Sequence, residues 1–177
     1  MRWGEDHPSI TFSIPKIDPQ ELIIIIDGEV ENPLRLKWSD LLKYPRVISE
    51  SDFHCVEGWS VQDCRWEGVR FRNLVESVKP KETARFVKFE CADGYATSFA
   101  VRDMLGDDII LADGLNGKEL ERSLGGPLRL IYPSKYAYKS AMWVNHIVFG
   151  SKKERGYWEI RGYSDTADIW TNDRFAL

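Results

Sequence analysis

Cys55 sits in the stretch Asp52-Phe53-His54-Cys55-Val56-Glu57-Gly58-Trp59-Ser60, among polar neighbours that a core cysteine does not need. A thiolate is a soft ligand for metals that accept sulfur, and it is also a nucleophile. One cysteine without a second Cys or His at ligand spacing cannot hold zinc or an iron–sulfur cluster. If a metal binds Cys55, a cofactor must bring most of the other ligands. As a nucleophile Cys55 would need His54 or His146 as its base. Adjacent residues on a strand point to opposite faces, so a Cys55–His54 dyad requires irregular backbone, and metal ligation ranks above nucleophilic catalysis. A cysteine packed as a small apolar side chain is the plain alternative.

Three downstream segments add polar chemistry. Gly125-Gly126-Pro127-Leu128-Arg129 is a tight turn whose backbone at Gly126 can approach a ligand closely, with Arg129 entering the next strand. No Lys-Ser/Thr follows the glycines, so this is not a phosphate loop. In the run Tyr132–Trp143, Lys135 and Lys139 flank aromatic side chains and Ser140 follows. Lysines with hydroxyls and backbone amides suit a terminal phosphate, and aromatics suit a flat heterocycle; a solvated loop has the same composition. In the tail, Trp158, Arg161 and Tyr163 either staple the chain to the body or place a proton donor, Tyr163, and an anion contact, Arg161, at a pocket mouth.

The elements that must position these groups are short. Leu22–Asp27 reads as a buried strand, and Ser39 as the cap of a short helix over Asp40–Lys43. Val47–Phe53 reads as a strand delivering His54 and Cys55 to a loop. Cys64–Glu67 reads as a strand broken by Gly68. Arg70–Val78 has helical spacing. Arg85–Cys91 and Tyr95–Val101 form a hairpin about Asp93-Gly94, with a helical turn after it at Arg102–Leu105. Asp108–Ala112, Leu128–Tyr132 and Val144–Phe149 are the remaining strands. Strands outnumber helices, which predicts an α+β fold with mixed or antiparallel sheets. The expectation is one domain over 1–177, with an extended arm at 1–20 and an irregular tail at 151–177.

The 177 residues are 43% hydrophobic, enough for a sizeable core. A net charge of −4 argues against general nucleic-acid binding. Three cysteines without CxxC spacing argue against a disulfide framework or zinc ribbon. The N-terminus shows no apolar signal core, and the longest apolar run, Leu22–Ile26, is too short to cross a bilayer. The expectation is a cytoplasmic protein without a membrane span.

Taken in order, several stretches resemble the molybdopterin-binding oxidoreductase domain of the sulfite oxidase family, especially its short single-domain prokaryotic members. They are Asp27–Pro33, His54–Ser60, Trp66–Val69, Ala92–Tyr95, Leu111-Ala112 with Asn116-Gly117, Gly125–Arg129 and Gly156–Glu159, and the likeness runs from about Pro15 to Phe175. The resemblance implies that Cys55 is the one protein ligand to molybdenum, the rest of the shell coming from a single pterin dithiolene and oxo groups. It implies that Arg129, Lys139 and Ser140 lie along the pterin and its phosphate, with Thr97 a further contact, and that Tyr163 is near the metal. His54, Gly126 and Lys135 complete the expected cofactor-binding set, and Ser60, Arg161 and Tyr163 the substrate set. The chain departs from sulfite oxidases at three places. Ser60 stands where they have an arginine, and Trp59-Ser60 is similar to bacterial methionine-sulfoxide reductase catalytic subunits. Leu124 stands for a histidine and Met142 for a lysine. The haem and dimerisation domains of animal sulfite oxidases have no counterpart here.

The implied activity is oxygen-atom transfer to or from a small sulfur- or nitrogen-oxide substrate, with a separate electron-transfer protein as partner. A cysteine-nucleophile enzyme and a non-catalytic pterin-binding or structural domain are the alternatives.

Overall fold

The computed structural model describes residues 13–176, and the first twelve residues of the expected arm lie outside it. The backbone forms two five-stranded sheets and few helices, as the α+β reading predicts.

The first sheet begins with β1 (Ile23–Gly28). Its four consecutive isoleucines alternate in burial, with Ile24 and Ile26 fully inside and Ile23 and Ile25 half-exposed. The run therefore has one core face rather than two. β2 (Leu34–Lys37), hidden from sequence reading by its length of four residues and two charges, returns antiparallel beside β1. The helical turn that follows is α1 (Trp38–Leu41); its N-cap is Lys37, and Asp40 accepts the Lys37 N–H at 3.1 Å. Ser39 is inside this helix, not its cap.

β3 (Arg46–His54) and β4 (Ser60–Arg70) form the long hairpin of the second sheet. β4 continues past Gly68, where the sequence reading ends the strand, although its register with β7 shifts between Glu67 and Gly68. The glycine instead permits close approach, since a Cβ there would lie 2.0 Å from the Leu111 carbonyl oxygen of β7. Helix α2 (Phe71–Val78) buries Phe71, Leu74, Val75 and Val78, the spacing read from the sequence, and ends at Lys79 with φ +50°.

β5 (Phe86–Cys91) and β6 (Ala96–Ala100) pair across the Asp93-Gly94 turn. β7 (Ile110–Leu115) pairs with β4 on one edge and, on the other, with β8 (Lys118–Glu119) and β9 (Arg129–Ile131). β10 (Val144–Gly150) closes the first sheet between β1 and β5, and its pairing with β1 is parallel. The order of the first sheet is β2-β1-β10-β5-β6 and of the second β3-β4-β7-β8, with β9 beside β7.

The larger core lies between the first sheet and α2, where Phe71 meets Phe89 at 5.1 Å and Phe89 meets Phe99 edge-on at 5.8 Å. A second core, built from Phe53, Cys64, Trp66, Ile110, Leu124 and Ile131, fills the second sheet and ends next to the candidate site. From Ser151 to residue 176 the chain has no named strand or α-helix, and a 3₁₀ turn lies at Glu159–Arg161. Tyr157 N–H donates to Ala96 O at 2.9 Å, fastening this tail along the edge of β6. Gly156 makes that contact possible, because a Cβ there would lie 2.3 Å from the same Ala96 oxygen.

Candidate cofactor and active site

Cys55 follows the last residue of β3, at the tip of the hairpin. Its N–H donates to Trp59 O at 2.9 Å and its carbonyl accepts the Gly58 N–H at 3.1 Å. Gly58, at φ +97°, supplies the left-handed residue this tight loop needs. Below the loop His54 faces Ser60 across the ladder, with Nδ1 and Oγ 2.7 Å apart. The Cys55 thiol is half-buried and free. Burial and the Glu57 carboxylate push its pKa up, against the backbone N–H groups of Glu57 and Val56 and the guanidinium of Arg174.

His54 is engaged with Ser60. His146 lies on β10 of the other sheet, with Nε2 2.8 Å from Asp27 Oδ1 and Nδ1 2.9 Å from Glu90 Oε2. Among the described residues neither histidine is hydrogen-bonded to the Cys55 thiol. Among the described residues no three His, Cys, Asp or Glu side chains come together as a metal site. A metal on Cys55 would take its other ligands from a cofactor.

Arg129 opens β9 and is 2% exposed. Its Nε donates to Ser140 O at 3.2 Å and its Nη1 to Leu124 O at 2.8 Å. Its guanidinium lies 4.7 Å from the centre of the Phe53 ring and 5.7 Å from that of Trp66. Burial lowers it to about 9, opposed by the sulfurs of Cys64 and Cys91. It stays charged at neutral pH, yet among the described residues no carboxylate forms an ion pair with it. A buried cation with only carbonyl acceptors is costly, and an anionic ligand would relieve it. Phe53, which it covers, belongs to β3, the strand whose last residue precedes Cys55. A half-buried soft donor and a buried guanidinium without a carboxylate partner are groups that a metal carried by an anionic pterin would use.

Other sequence-predicted contacts are placed differently. Lys139 is 1% exposed; its Nζ donates to Glu159 Oε1 at 2.5 Å and Ser98 O at 2.9 Å and sits over the Phe99 ring. Burial lowers its pKa, against the Glu159 carboxylate. Thr97, fully buried, donates to the same Glu159 oxygen at 2.6 Å. Both residues face inward onto Glu159. Ser140 is buried, with Oγ accepting the Tyr132 N–H. Gly126 is packed against Leu120 O, and its N–H donates to Glu121 O at 3.0 Å. Lys135 pairs with Asp168 at 3.2 Å.

Tyr163 is half-buried in an aromatic cluster with Trp158, Tyr138 and Phe175, at 5.3, 5.6 and 5.5 Å. Arg161 is exposed and folds back over the Tyr157 ring at 3.6 Å. Tyr163 and Ser164 pair with the segment Arg174–Phe175, Ser164 N–H donating to Arg174 O at 3.0 Å. The Arg174 side chain in turn donates from Nη1 to the Val56 carbonyl of the Cys55 loop. This ribbon sets Arg174 beside the Cys55 loop.

Sequence reading missed two members of this arrangement. Glu159 lies within a recognised stretch, but an isolated Glu gives no sign of being buried. Arg174 sits in an aperiodic tail between Asp173 and Phe175, without any spacing signal.

Comparisons with known proteins bear on the family and the fold. Residues 11–158 match the oxidoreductase molybdopterin binding domain family. The chain is 38% identical over 148 residues to the uncharacterised oxidoreductase YuiH of Bacillus subtilis, covering 84% of this chain and 75% of that protein. It is 33% identical over 153 residues to the protein-methionine-sulfoxide reductase catalytic subunit MsrP of Campylobacter jejuni, covering 77% of this chain and 51% of that one. The solved structure of the sulfane dehydrogenase SoxCD from Paracoccus pantotrophus shares the fold, with TM-score 0.73 and 23% identity over 78% of this chain and 40% of that one. The chain thus spans about half of MsrP and less than half of the SoxCD chain. With the family match covering most of its length, the chain belongs to the oxidoreductase molybdopterin binding domain family.

Proposed function

We propose that this protein is a molybdenum-dependent oxidoreductase that binds a single pterin and moves an oxygen atom to or from a small sulfur- or nitrogen-oxide substrate. This reading is carried by Cys55, a half-buried free thiol at a hairpin tip, in a chain whose residues 11–158 match the family model, and is supported by Arg129, a buried guanidinium without a carboxylate partner among the described residues. Once bound, the cofactor would supply two-electron oxygen-transfer chemistry that no side chain offers.

The protein's own residues hold and shield the site. Cys55 would be the sole protein ligand, its loop fixed by the Trp59 and Gly58 backbone bonds. Arg129 would donate to the anionic cofactor from a rigid seat between Phe53, Leu124 and Ser140. Tyr163 would orient substrate from the rim, and the Ser60–His54 pair would present polar atoms beside the loop. Electrons would pass to or from a separate protein; two relatives are named as subunits, which supports a multi-protein system. Among the described residues no helix is long and apolar enough to cross a membrane.

The test is elemental and spectroscopic analysis of protein made in cofactor-replete cells. Wild type should carry about one molybdenum per chain and a thiolate-to-metal absorption band, and Cys55→Ser should lose the band. Wild-type protein without molybdenum would overturn the proposal.

A further inference from the structure

Among the described residues eleven Lys and Arg side chains form ion pairs with carboxylates. Arg46 pairs with Asp113, Arg65 with Glu50, Arg155 and Lys153 with Asp165, and Lys135 with Asp168. Arg174 is different. It is half-buried beside the Cys55 loop, and among the described residues it has no carboxylate partner.

Its guanidinium is nevertheless held on three sides. Nη1 donates to Val56 O, Nε donates to Asn172 Oδ1 at 2.7 Å, and the group lies 5.3 Å from the centre of the Tyr136 ring. Tyr136 is itself fixed, its hydroxyl donating at 2.9 Å to the same Asn172 oxygen. Its backbone is pinned as well, by the Ser164 N–H on its carbonyl. Every acceptor it uses is neutral, so its charge is oriented but not balanced. The remaining nitrogen, Nη2, has no partner among the described residues. Arginine kept this way, with one edge spent on positioning and another free, is the form in which proteins grip planar oxyanions. Partial burial strengthens the attraction over that of a surface arginine.

We infer that Arg174 is an anion-binding residue of the Cys55 site and selects substrates bearing a negatively charged oxygen. The assignment to substrate rests on the function proposed above; the anion site itself does not. Glu57, the acidic group of the same loop, is exposed and solvated, and it opposes Arg174 only weakly through water. Arg161 does not compete for this role, since its guanidinium is spent on Tyr157 O and the Tyr157 ring. The site would therefore take an oxyanion end-on, with the charge held by the tail and the reacting atom toward the hairpin tip.

Inorganic sulfate is the probe. Calorimetric titration of wild type, Arg174→Gln and Arg174→Lys should show sulfate binding weakened about ten- to a hundredfold by Gln and largely retained by Lys. Melting temperatures on the same samples separate this from loss of a tail fastening. Two results overturn the inference: wild-type protein that binds no sulfate, or sulfate bound equally by wild type and Arg174→Gln. A fall in both sulfate affinity and melting temperature that is equal for Gln and Lys also overturns it, since Lys keeps the charge. Molybdenum content is read separately, and its absence would sink the proposed function while the titration still decides Arg174.

Discussion

Lys139 Nζ lies 2.5 Å from Glu159 Oε1, and both side chains are 1% exposed. The pair ties the turn after β9 to the irregular tail, with Thr97 and Ser98 of β6 completing the bonding. It sits behind the aromatic cluster that holds Tyr163, so the tail is anchored by charge where it has no secondary structure of its own.

Breaking this pair from one side should be severe. Glu159→Gln leaves an ammonium buried without a counter-charge, and the expected loss is about 3–5 kcal/mol of folding stability. Lys139→Met with Glu159→Leu removes both charges together and should recover much of that loss. Urea denaturation of the single and double variants checks it. Equal losses in single and double variants would mean that packing, not charge balance, holds the tail.

Arg129 should behave in the opposite way with and without cofactor. In metal-free protein Arg129→Met replaces an uncompensated buried cation by an apolar chain of similar reach. Stability is expected to be unchanged or higher. In cofactor-replete cells the same variant should retain about ten- to a hundredfold less molybdopterin. Melting curves of the metal-free form and pterin assay of the loaded form give the two readouts. Destabilisation of the metal-free form would show that the cation is balanced without ligand.

The strand that delivers Cys55 was legible because Val47–Phe53 carries strand residues, while its hairpin pairing with β4 was not. The α2 spacing and the Asp93-Gly94 hairpin were legible for the same local reason. What failed was non-local. Gly68 reads as a breaker, but its role is set by Leu111, far along the chain. Nothing near Lys139 in sequence shows that Glu159 will meet it inside the protein. Arg174 carries no pattern at all, and only the pairing of Tyr163 with Phe175 brings it to Cys55.

Gly68 also gives a contrast between two kinds of glycine. Gly68→Ala puts a Cβ 2.0 Å from Leu111 O, a backbone atom that cannot move without parting β4 from β7. Gly94→Ala meets nothing within 4 Å and is strained only by its φ of +85°. The expected cost is about 1–2 kcal/mol for Gly94→Ala and above about 4 kcal/mol for Gly68→Ala. Denaturant midpoints of the two variants measure it. Equal costs would mean that the strand pair yields more easily than close-packed backbone should.

The pairing of Lys135 with Asp168 should make acid stability depend on one charge. Burial works against the Asp168 carboxylate, but the Lys135 hydrogen bond and the Thr171 and Trp170 N–H groups outweigh it and hold its pKa below the ordinary value. A carboxylate lowered in the folded state binds fewer protons there than in the unfolded chain. Its stabilisation is therefore complete above the unfolded value, about 3.9, and fades as pH falls through the lower folded one. Asp168→Asn keeps an oxygen for the two backbone N–H groups and removes only the charge. The stability gap between wild type and Asp168→Asn should be constant from neutral pH to about pH 5 and should narrow below about pH 4. Denaturation midpoints taken across that range decide it. A gap that persists undiminished at about pH 2 would assign the contribution to packing in place of the Lys135 charge.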